Sequence, residues 1–202
     1  MRDRLLIVGA LGAETLPFLR ALQRPRPLSR RLVRGRLGGH EVAILTCGVG
    51  PAKAARRVTA ALPLWSAQAV VSIGTCGALI DTLPVGSVVT ATRLLEDETE
   101  RPAPLPWPGV QPATVVTVRE PVFSLERRQV LADIGATVCE MEAAAVQRAA
   151  GALPVLTLKV VSDLAGGAAD DPPKRPSPLD IARFQAQARR LSAAHLLPRF
   201  IP

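Results

Sequence analysis

The chain opens on Leu5-Leu6-Ile7-Val8, four apolar residues closed by Gly9-Ala10-Leu11-Gly12. An unbroken apolar run of this length, bounded by glycine, reads as a strand covered on both faces. Ala69–Ile73 is a second, mostly apolar run, ending in Gly74-Thr75-Cys76-Gly77-Ala78, and Pro154–Val161, with Thr157 and Lys159 inside it, is a third, ending in Ser162-Asp163. Ser87–Leu94 and the shorter Thr114–Val118 read as further strands, and Thr137–Glu140 as a strand end. Arg31–Leu37 and Glu41–Thr46 flank Gly38-Gly39-His40 and read as a hairpin. Helical stretches fall at Glu14–Leu22, with Pro17 in a first turn where proline is tolerated, and at Ala52–Leu62 after Gly48-Val49-Gly50-Pro51. Leu125–Gly135, Met141–Ala150 and a closing Leu179–Leu197 complete them. Glu96–Glu100, the proline-rich Arg101–Pro112 and Ala165–Pro178 read as loops. Strands alternating with helices predict one α/β domain over 1–202 with a mostly parallel or mixed central sheet.

Composition narrows the function classes. At 202 residues and 48% hydrophobic, the chain can bury a sizeable core and is not disordered. Its apolar runs stop well short of the ~20 residues of a membrane span, and the N-terminal one is too short for a signal peptide, so a cytoplasmic protein is expected. The net charge is +8, and 22 of the 25 basic residues are arginine. They are scattered, with modest clusters at Arg24–Arg36 and Arg183–Arg190. Aromatics are 3% and tyrosine is absent, which leaves few platforms for stacking bases. The arginines therefore read as a solvated surface, with no nucleic-acid partner. Cys47, Cys76 and Cys139 are an odd number without CxxC spacing, and His40 and His195 sit at no ligand spacing from them. Buried, reduced thiols are expected, with no metal and no cofactor. The chain has no GxGxxG, no GxxxxGK[ST] and no GxSxG, so dinucleotide, P-loop and triad-hydrolase readings lack support.

The remaining chemistry is carboxylate chemistry. Glu140 and Glu142 sit in Val138-Cys139-Glu140-Met141-Glu142-Ala143-Ala144-Ala145-Val146, an otherwise apolar, small-residue run. Asp163 ends a buried strand, and Glu14 follows the first one. Ligands of open α/β sheets bind at the carboxyl ends of strands, where this fold can bring Glu14, Glu142 and Asp163 together. A buried carboxylate is costly unless paired or hydrogen-bonded. Such a trio suits cleavage of an N-glycosidic bond: one carboxylate accepts ribose hydroxyls, one acid protonates a leaving purine nitrogen, and one orients water. A structural reading fits the residues equally well. Glu14 is then a first-turn helix acid, one of Glu140 and Glu142 is networked while the other is solvated, and Asp163 caps a turn.

The order of these segments resembles the purine nucleoside phosphorylase and 5′-methylthioadenosine/S-adenosylhomocysteine nucleosidase superfamily. Ile7–Glu14, Thr46–Ala55, Ser72–Leu79 with Leu83–Val89, Glu140–Ala145 and Val160–Asp163 carry the resemblance, which runs from Leu5 to Phe184. It implies a single-domain three-layer α/β sandwich with a central mixed, partly barrel-like sheet flanked by helices. It also implies a small-molecule nucleoside substrate, adenine being the base, and a homodimer. By resemblance Glu142 holds the ribose 2′ and 3′ hydroxyls, Met141 packs on the sugar, and Asp163, following Ser162, is the general acid at purine N7. Glu14 activates water, Thr75 lies near the attacking oxygen, Gly77 and Ala78 line the base, and Phe123, or Val122 beside it, stacks on the purine. The family's hexameric phosphorylases place arginines where this chain has Ala13 and Ser72. That favours water over phosphate, although Arg20, Arg31, Arg34, Arg36 or Arg93 leave a phosphate site, and with it a phosphorylase such as the hopanoid-associated type, open. A nucleoside-binding module without turnover is the other alternative. The segment between Ser87 and Glu140 is short and proline-rich for the family, which implies a trimmed cover and a more open pocket.

Overall fold

The computed structural model describes residues 4–96, 99–102, 104–166 and 177–201. Ten strands form one continuous sheet among them. Strand β1 (Arg4–Gly9) is central. It pairs in parallel with β4 (His40–Thr46) on one side and with β5 (Ala69–Ala78) on the other. Beyond β4 come β3 (Leu32–Leu37) and the edge strand β2 (Gln23–Ser29), both antiparallel to their neighbours. On the far side the sheet closes on itself. β10 (Val155–Leu164) pairs in parallel with β5 and antiparallel with β6 (Val88–Glu96). β6 pairs with β8 (Gln111–Thr117), β8 with β9 (Val138–Glu140), and β9 returns to β5. This five-strand ring is the expected barrel-like part, and the short β7 (Thr99–Arg101) hangs on β6.

Helices cover both faces, completing three layers. α2 (Pro51–Ala61) and α4 (Ala143–Ala150) pack together on one face around Leu6, Val8, Ala54, Val58, Val146 and Trp65. On the other, α1 (Gly12–Ala21) meets α5 (Pro178–Leu191) over Ile7, Phe18, Ile73, Leu158 and Leu191. β1, β5 and β10 are buried on both faces along most of their length, as their apolar runs require. α3 (Leu125–Asp133) opens on Ser124, whose side chain accepts the Arg127 amide.

Several expectations need correction. α1 begins two residues earlier than predicted, so Pro17 is inside the helix and not in its first turn. The Ala13 carbonyl cannot receive a proline amide there. The helix predicted from Met141 starts at Ala143, with Glu142 as its N-cap residue. β2 was not predicted, because Pro25, Pro27 and its arginines break any alternation. An exposed edge strand tolerates prolines and charge. Of the predicted loops, positions 97, 98, 103 and 167–176 lie outside the described residues.

Candidate active site

A cavity of about 590 Å³ opens at the carboxyl ends of β1, β5 and β10. Its wall includes Glu14, Thr75, Gly77, Met141, Glu142, Ser162 and Asp163, so the structure gathers nearly every residue singled out in the sequence. Val122 and Phe123 both line it, Phe123 being half exposed at the mouth. Ala78 does not. Its side chain is fully buried in a core cluster with Val89, Ala91 and Val115, because alternation along β5 turns it away from Gly77's face.

Glu14 is fixed by four donors. Its Oε2 accepts the amides of Ala10 (3.1 Å) and Leu11 (3.0 Å), and its Oε1 accepts the amide (2.8 Å) and hydroxyl (2.9 Å) of Thr75. Gly74, at φ 146°, gives the carboxylate its room: a Cβ there would stand 2.9 Å from Oε1. Helix-start amides and a neighbouring-strand hydroxyl thus hold a buried anion in one pose.

Glu142 reaches the cavity from the β9–α4 junction, and its Oε1 accepts the Gly50 amide at 2.7 Å. Burial and the nearby Glu140 push its carboxyl up to about 7, against the opposing pull of Lys159 and the Gly50 amide. Glu140 lies beneath it as a fully networked anion. Its oxygens take the amides of Glu142 and Ala143, the Thr117 hydroxyl at 2.6 Å, and the Lys159 ammonium at 2.9 Å. Lys159 is itself fully buried and donates also to Ser72. Burial alone would lower its pKa, but Glu140 and Glu142 outweigh that and hold it above the usual lysine range.

Asp163 is open to the cavity but crowded by protein, and that desolvation raises its carboxyl above the usual aspartate range, with Ser162 opposing. The Ser162 hydroxyl has two acceptors, Asp163 Oδ2 at 2.6 Å and the Cys76 carbonyl at 3.2 Å. With one proton to give, it can serve the ionised carboxylate and turn to Cys76 when Asp163 is protonated. That suits a group that must cycle between both states.

The described cavity wall carries five acids, Glu14, Glu140, Glu142, Asp163 and Asp180, and no lysine or arginine. Arg20, Arg31, Arg34 and Arg93 are exposed elsewhere, Arg93 on Glu100, and Arg36 is also off the wall. No metal-ligating group of three His, Cys, Asp or Glu occurs among the described residues. Burial pushes the Cys47 and Cys139 thiols up to about 12, which removes them as thiolate nucleophiles.

The family profile of the phosphorylase superfamily matches residues 4–113 and 107–201. The chain belongs to the phosphorylase superfamily. Its curated relatives include 5′-methylthioadenosine/S-adenosylhomocysteine nucleosidases of Bacillus thuringiensis (strain Al Hakam) and Bacillus cereus (strain AH187). Each is 29% identical over 94 residues, 45% of this chain and 41% of the relative. The match thus spans under half the length of those relatives. Among solved structures, the nucleosidase of Colwellia psychrerythraea in complex with adenine superposes with a TM-score of 0.81 at 18% identity, covering 99% of this chain and 95% of that one. The S-adenosylhomocysteine nucleosidase of Streptococcus pyogenes, with 5-methylthiotubericidin, gives 0.80 at 22% identity, covering 98% and 96%. At these identities the likeness is one of fold.

Within this superfamily fold, only part of the segment between Ser87 and Glu140 reaches the cavity, and α5 adds to the cover. The described residues of the proline-rich run at 101–112 are not on the cavity wall. Leu105 bridges to Leu156, and Trp107 packs on Phe200. The wall includes Val118, Pro121, Val122 and Phe123 of the segment between Ser87 and Glu140, and Asp180, Ile181, Phe184 and Gln185 of α5. The α5 residues were missed because they follow a Gly/Pro/Asp-rich stretch and carry no motif. The burial of Glu140 against Lys159 was missed because the partners lie on different strands.

Proposed function

We propose that this chain cleaves the N-glycosidic bond of a purine nucleoside, with adenine as the base and water as the nucleophile. The observation that carries the reading is a cavity with three separately held carboxylates, Glu14, Glu142 and Asp163, and no cation on its described wall. A phosphate dianion needs arginine or a nest of amides, and here it would meet negative charge. A neutral water is not repelled.

In this reading Glu142 accepts the ribose hydroxyls and Met141 packs on the sugar, while Val122 or Phe123 covers the purine beside Gly77. Asp163, raised by burial, delivers a proton to purine N7 as the bond to the ribose lengthens. The base then leaves neutral. Glu14, with Thr75 fixing Oε1, orients water and takes its proton as it adds to the cationic sugar. The cavity exceeds the volume of a nucleoside, and the relatives' substrate class, 5′-methylthioadenosine and S-adenosylhomocysteine, fits the apolar residues at its mouth. Those residues, Val49, Phe123, Ile181 and Phe184, are exposed, and we read a second copy as their cover in a homodimer. The three free cysteines accord with a reducing, cytoplasmic setting.

The experiment is incubation with 5′-methylthioadenosine, with and without phosphate, followed by chromatography of free base. Adenine released at the same rate without phosphate supports hydrolysis. Release only with phosphate makes the chain a phosphorylase, and tight binding without release makes it a binding module.

A further inference from the structure

The Ser162–Asp163 peptide is held from a side that the motif does not reveal. In the ladder between β10 and β5, Val161 is opposite Cys76 and Asp163 is opposite Gly77, so Ser162 has no partner residue of its own. A bulge of this kind re-aims the side chain that follows it. Asp163 is turned over Gly77, where even a Cβ would stand 3.2 Å from its Oδ1 and 2.9 Å from Ala165. The Ser162 hydroxyl ties the bulge to β5 through the Cys76 carbonyl. Its carbonyl is tied in the opposite direction, accepting Nε2 of Gln187 on α5 at 2.7 Å.

Positions 177–186 are exposed all along the first turns of α5. Gln187 is the first of its residues withdrawn from solvent, followed by buried Ala188 and Leu191. An amide at that point loses rotamer freedom and water, and the bond to Ser162 is what it receives in return. The same helix supplies Asp180, Ile181, Phe184 and Gln185 to the cavity wall. The bond therefore joins the wall to the peptide that aims the acid.

We propose that Gln187 is a positioning residue for Asp163, acting through the Ser162 carbonyl to fix the bulge that points the carboxyl at the leaving base. This rests on the reading of Asp163 as the proton donor. It has a kinetic signature: the acid's aim matters to the transition state more than to ground-state binding.

The test is Gln187→Met, which keeps the length of the side chain and removes the donor. With 5′-methylthioadenosine we expect kcat to fall about tenfold, the size of one net hydrogen bond, with KM unchanged within about threefold. In an Asp163→Asn background the same substitution should cost nothing further, since the carboxyl it aims is gone. A wild-type kcat, or an equal loss in both backgrounds, overturns the proposal. So does a lower Tm with kcat intact, which is what helix docking alone would give. A second measurement does not need turnover: the carbon-13 carboxyl signal of Asp163, assigned by its loss in Asp163→Asn, followed through a pH titration. Gln187→Met should move its midpoint, and an unmoved midpoint in a folded variant overturns the proposal. If wild type releases no base, the hydrolase reading fails by itself and the titration still decides on Gln187.

Discussion

Glu142, pushed up to about 7 by burial and by Glu140, is divided between its two protonation states near neutral pH. Only the ionised form offers both oxygens as acceptors to two ribose hydroxyls. Riboside affinity should therefore rise as pH increases from 6 to 8, while 2′-deoxyribosides respond less; calorimetric titration of both across that range checks it. The linkage has the opposite sign for the empty protein. A carboxyl raised in the folded state binds more protons there than when unfolded, so its contribution to stability is lost as pH climbs from about 4.5 to about 7. Glu142→Gln should weaken riboside binding by about 1.5–3 kcal/mol per charged hydrogen bond lost and leave deoxyribosides less affected. An equal loss for both would refute the ribose contact. For Asp163 the expectation is different. Asp163→Asn should keep binding within a few-fold and cut turnover by ~10²–10⁴, because the amide has the shape but no acid proton. A near-wild-type rate would remove Asp163 as the proton donor.

At the level of elements, the junction of β9, α4 and β10 is held by buried charge. Lys159 on β10 meets Glu140 on β9 at 2.9 Å, and Glu140 in turn takes the amides that open α4. Lys159→Met should destabilise the fold by about 3–5 kcal/mol, because it strands a buried carboxylate. Adding Glu140→Gln should recover part of that, as chemical denaturation of both variants will measure. Full additivity would mean that the two do not form one unit. The strands of the core were legible in the sequence since burial on both faces leaves long apolar runs, as in Leu5–Val8 and Pro154–Val161. Glu14 was legible because it follows a glycine turn, Asp163 because it ends a strand, and Glu142 because it stands in an otherwise apolar, small-residue run. Lys159 was not: its partners Glu140 and Ser72 are 19 and 87 residues away in sequence, and only closure of the ring brings them together. β2 was hidden by its edge position, where prolines and arginines cost little. Gln187 was hidden because its partner is a backbone carbonyl, which no side-chain pattern records.

For the molecule as a whole, the sheet closes into a ring at one side and stays open at the other, and the acidic cavity sits where the parallel strands end. The net charge of the chain is +8, yet the described wall of that cavity carries acids and no lysine or arginine. A cationic exterior around an acidic pocket suits a substrate recognised through hydroxyls and protonated in place better than one recognised as an anion. The account therefore stands on water as the nucleophile, and Glu14 decides it. The measurement is the rate of adenine release from 5′-methylthioadenosine by wild type and Glu14→Gln, each with and without phosphate. If Glu14 is the base for water, the amide should lower phosphate-independent release by ~10²–10⁴ and phosphate should restore nothing. A Glu14→Gln protein whose phosphate-dependent rate equals or exceeds that of wild type would contradict the account, since removing a negative charge helps only an anionic nucleophile.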